Sequence, residues 1–184
     1  ILERALQKQL GVPVSIEQFE LNTKKAKIRK LHVGNPKGSR TKTSFSTEKI
    51  EVRSSLSQIL ADPLVVEKIE VDPIFLGIEF YSNNPEDTNW TRILNHRPKT
   101  PKKDSKDYLI KYLKIDSLTV SVTKPDGKTQ VYPSLHNLEF HNISNKTGFP
   151  IDQIEKAIFK LVLQSVIEKY GIDSIIKSIA PSGF

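Results

Sequence analysis

The sequence contains neither cysteine nor methionine among its 184 residues. The first absence removes disulfides, thiol nucleophiles and every thiolate metal site in one step, and leaves the compartment open. The second means that a chain opening Ile1-Leu2-Glu3 lacks an initiator, so the expectation is a processed or trimmed piece of something longer. Long apolar runs are missing too. No segment reaches the roughly 18 uninterrupted apolar residues of a membrane-spanning helix. The densest stretch, residues 151–170, is broken by Glu155, Lys156, Lys160, Gln164, Glu168 and Lys169. Glycine is scarce at 8 residues, and the sequence holds no Gly-x-Ser-x-Gly elbow, phosphate-cradling loop or dinucleotide fingerprint. The 4 histidines, His32, His96, His136 and His141, have no partner at a familiar metal-ligand spacing. No enzyme, metal site or cofactor is expected from these residues.

What is present fits a somewhat polar globular protein, with 37% apolar and 27% charged residues. The length suits a single domain, 1–184. A formal charge of +7 favours anionic surfaces. Basic residues gather at Lys24, Lys25, Lys27, Arg29 and Lys30, and again in residues 97–106. Neither cluster contains the aromatic platforms that nucleic-acid binding usually adds, so nucleic acid is not an expected partner, and binding to phospholipid headgroups or simple solubility explains the clusters equally well.

Leu2, Ala5, Leu6 and Leu10 fall at helical spacing and Gly11 offers a left-handed stop, which predicts the tail of a helix over residues 1–10. Residues 12–16 and 19–21 follow as strand, with Asn22-Thr23 turning the chain into a first hairpin. A short phrase then recurs: Leu31-His32-Val33, Lys49-Ile50-Glu51-Val52 and Lys68-Ile69-Glu70-Val71, its central residues 19 positions apart each time. A near copy, Leu113-Lys114-Ile115-Asp116-Ser117-Leu118, opens the alternation Leu118, Val120, Val122. Period-two alternation is what a strand with one buried face requires, and regular spacing predicts a meandering antiparallel sheet. The acids within these phrases, such as Glu51, are expected on a solvated face. Asn35-Pro36-Lys37-Gly38 and Pro125-Asp126-Gly127 predict turns. Residues 54–62 form a short crossing ended by Pro63, and Ile74, Leu76, Ile78 and Phe80 predict a further strand. Residues 82–107, with Pro85, Pro98 and Pro101, are expected to be a mobile loop anchored by Trp90.

After Gly148 the period changes. Ile151, Ile154, Ile158, Leu161, Val162 and Val166 recur every three or four residues, predicting a helix over 152–170, with a shorter one over 172–179. The expected class is α+β: a curved, mainly antiparallel β-sheet with helices at the N- and C-terminal ends.

The order of these elements, with Leu10-Gly11, Val12-Pro13-Val14-Ser15-Ile16, Leu31-His32-Val33-Gly34-Asn35-Pro36-Lys37-Gly38, the crossing Ser55-Leu56-Ser57-Gln58-Ile59-Leu60 and the Lys49-Ile50-Glu51-Val52 strand, resembles the start of AsmA-like bacterial envelope proteins. The similarity covers residues 1–80 well and the rest loosely; Ser39 stands where the family usually carries an aromatic. The resemblance implies an inner-membrane anchor upstream of Ile1, a periplasmic location, and a part in outer-envelope biogenesis or phospholipid traffic, with envelope proteins as further partners. On that footing the candidate acyl-chain groove is Ile50, Val52, Ile69, Val71, Leu118 and Val120 on the sheet, with Ile154, Ile158 and Leu161 on a capping helix. Lys24, Lys25, Lys27 and Lys30 are the membrane-surface candidates. The alternative is a structural or interaction domain in which the same apolar face is closed, because a strand facing a groove and one facing a packed helix share one alternation.

Overall fold

A computed structural model describes residues 1–96 and 107–148. The chain divides into two units, Ile1–Phe149 and Pro150–Phe184, and the description below concerns the first. The expected C-terminal helices, with Ile154, Ile158 and Leu161, lie outside the described residues.

Helix α1 (Leu2–Leu10) ends at Gly11, whose φ of 67° supplies the left-handed stop. Strands β1 (Val14–Leu21) and β2 (Lys25–Gly34) form the first hairpin, and β3 (Thr43–Arg53) lies antiparallel beside β2. The crossing carries α2 (Leu56–Ile59), capped by Ser55 and Gln58, and β4 (Leu64–Val66). Strand β5 (Lys68–Glu79) pairs antiparallel with β3, so the second and third copies of the repeated phrase face each other, while the first, on β2, lies opposite Phe45–Thr47. Residues 68–79 thus give one long strand through Pro73 instead of two.

The fourth copy departs from the expected meander. Strand β6 (Tyr108–Thr123) runs parallel to β4 and β5, Leu64 facing Tyr108 at one end and Glu79 facing Thr123 at the other. Parallel neighbours need a long return connection, and residues 80–107 provide it. The structure corrects the expected loop there, because residues 89–96 form α3 (Asn89–His96) with Asn89 and Ile93 fully buried. Its apolar residues Trp90 and Ile93 are three apart, a helical spacing too short to stand out among the surrounding prolines. β7 (Thr129–Val131) and β8 (Leu135–Ser144) pair antiparallel with β6, the first through a turn at Gly127 with φ 85°. One curved, mostly antiparallel sheet results, with helices at its N-terminus and mid-chain.

A belt of polar residues crosses this sheet. Ile16, Leu31, Thr47, Ile74, Leu118 and Leu135 form one continuous row of cross-strand partners, and Phe19, Ile28, Ile50, Val71, Ile115 and Leu138 form another. On every strand the rows are three residues apart, separated by Glu17-Gln18, Arg29-Lys30, Glu48-Lys49, Asp72-Pro73, Asp116-Ser117 and His136-Asn137. In an unbroken pleat a step of three would put the rows on opposite faces. Yet Ile28 and Ile50 pack on the same buried cluster, Val12, Val14, Leu31, Val33 and Ile93, as Phe45 does. The pleat is interrupted at the belt: Lys30 (φ 51°) and Asn137 (φ 55°) are left-handed there, and the β1–β2 and β2–β3 ladders both step over Lys30. An interruption at one level on adjacent strands bends the sheet and keeps its apolar residues on one side.

Candidate functional site

Above the belt the apolar side is covered. α1 and α3 lie on it, Leu6, Leu10, Trp90 and Ile93 packing against Val14, Leu31 and Val33. This end is locked by a polar network. The carboxylate of Glu79, 1% exposed, accepts from the backbone N–H groups of Arg40 (3.1 Å) and Thr41 (2.8 Å) and from the Thr41 hydroxyl (2.8 Å). Asn89 accepts from Glu79 N (2.9 Å) and donates to Asn35 Oδ1 (2.8 Å) and to Gly77 O (2.9 Å), which also receives Trp90 Nε1 (2.9 Å). Every polar atom in the network has a partner, so its role is structural. Asn35, the first residue of the Asn35-Pro36-Lys37-Gly38 turn, therefore anchors α3 to the sheet.

Below the belt lie four of the candidate groove residues, Ile50 packing on the core cluster and Val71 buried. Ile50 faces Val71 and Val52 faces Ile69, so four of the sequence-derived residues meet as two adjacent cross-strand pairs. Leu118 and Val120 are not beside them: they lie across the belt, facing Ile74 and Leu76. Leu113 and Ile115 occupy the lateral positions instead, facing Ile69 and Val71, with Phe140 and Leu138 next in the rows. The near copy of the repeat already contained Leu113 and Ile115, and aligning its Ile115 with Val71 would have found them.

At the β1 edge these rows open. Phe19 is 47% exposed and Leu21 69% exposed. Beside Phe19 a mainly apolar hollow of about 670 Å³ is lined by Ile1, Leu2, Ala5 and Ile16, with Glu3 on its wall. That volume falls in the range of roughly 300–1,000 Å³ typical of ligand pockets. Along the upper part of the same edge, Glu3 of α1 accepts from Ile16 N (2.6 Å) and Gln7 donates to Val14 O (2.8 Å), satisfying backbone groups that an edge strand otherwise leaves open.

The opposite side of the lower sheet is charged. Glu51 is paired with Lys25 (3.1 Å) and Arg53 (3.0 Å). Its carboxylate is 8% exposed, a correction to the solvated position expected of it. The Lys25 hydrogen bond, aided by Arg53 and opposed by burial, holds the Glu51 carboxyl below the ordinary carboxylate value. Glu70 pairs with Lys68, Asp116 with Lys114, and Tyr112 donates to Glu139 (2.8 Å), which raises the Tyr112 phenol.

The four lysines expected to face a membrane do not share one environment. Lys30 sits in the belt, paired with Glu17 (2.8 Å) and raised by that bond, and Lys25 is committed to Glu51. Lys24 is exposed in the turn after β1, and Lys27 lies on β2 between Glu20 and Glu51.

The chain matches no family model, and no curated protein or solved structure matches it either.

Proposed function

We propose that this chain is a non-enzymatic, periplasmic lipid-handling module of a bacterial envelope, which takes up acyl chains along the apolar rows below the belt. The observation that carries the reading is the open end of those rows. The rows run from Leu138 and Phe140 through Ile50, Val52, Ile69 and Val71 and finish at Phe19 and Leu21 beside an apolar hollow. A sheet built only to close a core has no reason to leave its apolar rows unfinished at an edge. The motif resemblance to AsmA-like proteins supports the same reading.

A second reading draws on β1 itself. Below Ile16 its outer edge has, among the described residues, no side-chain cover like that which Glu3 and Gln7 give above, so a partner's strand could add there. Native mass spectrometry after gentle extraction, with lipid transfer between liposomes, separates the two. Co-purified phospholipid and measurable transfer are expected. Lipid-free protein that transfers nothing overturns the groove and leaves strand addition.

A further inference from the structure

The exposed apolar side chains are not spread over the molecule. Among the described residues, Ile1, Phe19, Leu21, Leu56, Ile59, Leu60, Leu94, Tyr108 and Val131 are the large apolar ones exposed to solvent. Leu94 lies on α3 and Val131 on β7, towards the end of the sheet where Glu79 faces Thr123. The others lie towards the opposite end. Leu21 closes β1, Leu56, Ile59 and Leu60 ride on the crossing after β3, and Tyr108 begins β6 opposite Leu64. The backbone ties these pieces together, since Ser54 N donates to Lys24 O (3.1 Å) and Leu64 N to Asp107 O (2.9 Å).

Within the same end lies a hollow of about 640 Å³ lined by Asn22, Thr23, Lys24, Lys25, Arg53, Ser54, Ser55 and Glu67. Its three cations, Lys24, Lys25 and Arg53, come from two places in the sequence, and three hydroxyls stand among them. Glu51 uses only part of the donor capacity of Lys25 and Arg53, and no ion pair of Lys24 is formed among the described residues. Glu67, the acid on the wall, is engaged by Lys111 (2.8 Å) and by the Gln58 amide. Glu20, Asp62 and Asp107 also lie towards this end, so attraction for an anion resides in the hollow and not in the charge of the whole tip.

We infer that this end of the sheet docks on an anionic phospholipid surface, with Leu21, Leu56, Ile59 and Leu60 entering the acyl boundary and Lys24, Lys25 and Arg53 receiving a lipid phosphate. Protruding aliphatic side chains around a cationic hollow match the two layers of a bilayer surface, apolar beneath and anionic above. The choice of a lipid partner rests on the groove reading. Docking would set the lower rows, and their open end at Phe19, next to the membrane that supplies the lipid.

The absence of cysteine allows a direct test. Leu60→Cys and Leu94→Cys, each labelled with an environment-sensitive fluorophore on the full chain, are mixed with vesicles of phosphatidylcholine alone or with added phosphatidylglycerol. The label at 60 is expected to shift to the blue with phosphatidylglycerol vesicles, the shift fading as salt is added, while the label at 94 stays unchanged. Leu56→Asp with Leu60→Asp is expected to weaken sedimentation with these vesicles by on the order of ten-fold or more. Lys24→Glu should weaken it at low salt only. No shift at 60 in low salt, or equal shifts at 60 and 94, overturns the docking. A chain that carries co-purified lipid but shows no shift overturns docking alone, and a chain that docks but never holds or transfers lipid overturns the groove alone.

Discussion

Ile69 runs alongside Leu113 in parallel register, although both belong to copies of a phrase whose other neighbours pair antiparallel. This juxtaposition places Leu113 and Ile115, 5% and 3% exposed, at the middle of the sheet with a strand on either side. Leu113→Asp or Ile115→Asp should therefore cost about 4 kcal/mol or more, because a buried charge without a partner ranks among the most damaging changes. Ile69→Asp, at a half-buried position, should cost less. Urea denaturation of the three variants checks the order.

Gly77 is required by close approach. A Cβ added there would collide with the carbonyl oxygen of Thr43, which is backbone and cannot swing aside. The Gly77 carbonyl also receives both Asn89 and Trp90, so a shift of the strand would loosen α3. Gly77→Ala is expected to destabilise by roughly 1–3 kcal/mol, in line with overpacking elsewhere. Hydrogen exchange should show the α3 amides losing protection first. A melting temperature equal to that of the unaltered chain would contradict the packing.

Glu51 ties stability to pH. Its carboxyl is depressed in the folded chain, chiefly by the Lys25 hydrogen bond, so the ionised form is favoured by folding. The sign follows: the contribution is complete above the ordinary value of 4.5 and is lost as pH falls through the lower folded value. Glu51→Gln should lower the melting temperature at neutral pH, and the gap between variant and unaltered chain should narrow as pH drops below about 4.5. Glu48→Gln, on an exposed belt position, should show no such gap. A gap that stays constant down to pH 3 would mean that the Lys25 pair contributes nothing.

Much of the sheet was legible in the sequence because its strands carry their own signals. The Gly11 stop, the Pro125-Asp126-Gly127 turn and the alternation around Ile50 and Ile69 are local, and local physics fixes them. Pairing direction is not local. The phrase at Leu113 resembles those at Ile50 and Ile69, yet only the length of the preceding connection distinguishes a parallel neighbour from an antiparallel one. The belt was hidden for a related reason. A step of three, such as Ile28 to Leu31, reads as a lapse in alternation on one strand and becomes a feature only when register aligns all six. Glu51 was misplaced because alternation assigns a face without saying what covers it. Lys25 and Arg53 reach it from an adjacent strand and from two residues along its own. The groove candidates Leu118 and Val120 followed the alternation past the belt, where it no longer marks the same rows.

The open end of the rows gives the last prediction. Phe19 is exposed, lines the apolar hollow, and faces Ile28, the next residue of the lower row. Phe19→Asp would set a charge at the proposed entrance for an acyl chain, at a position exposed enough that folding should be nearly unaffected. Phospholipid retained after gentle extraction should then fall several-fold, with a melting curve close to that of the unaltered chain. Val131→Asp, at a more exposed position at the other end of the sheet, should leave both unchanged. Phe19→Leu preserves apolar character with less bulk and should retain lipid. If Phe19→Asp keeps its full lipid load, acyl chains do not enter between α1 and β1. If Phe19→Asp and Val131→Asp lose lipid equally, the loss reflects added charge and not a groove.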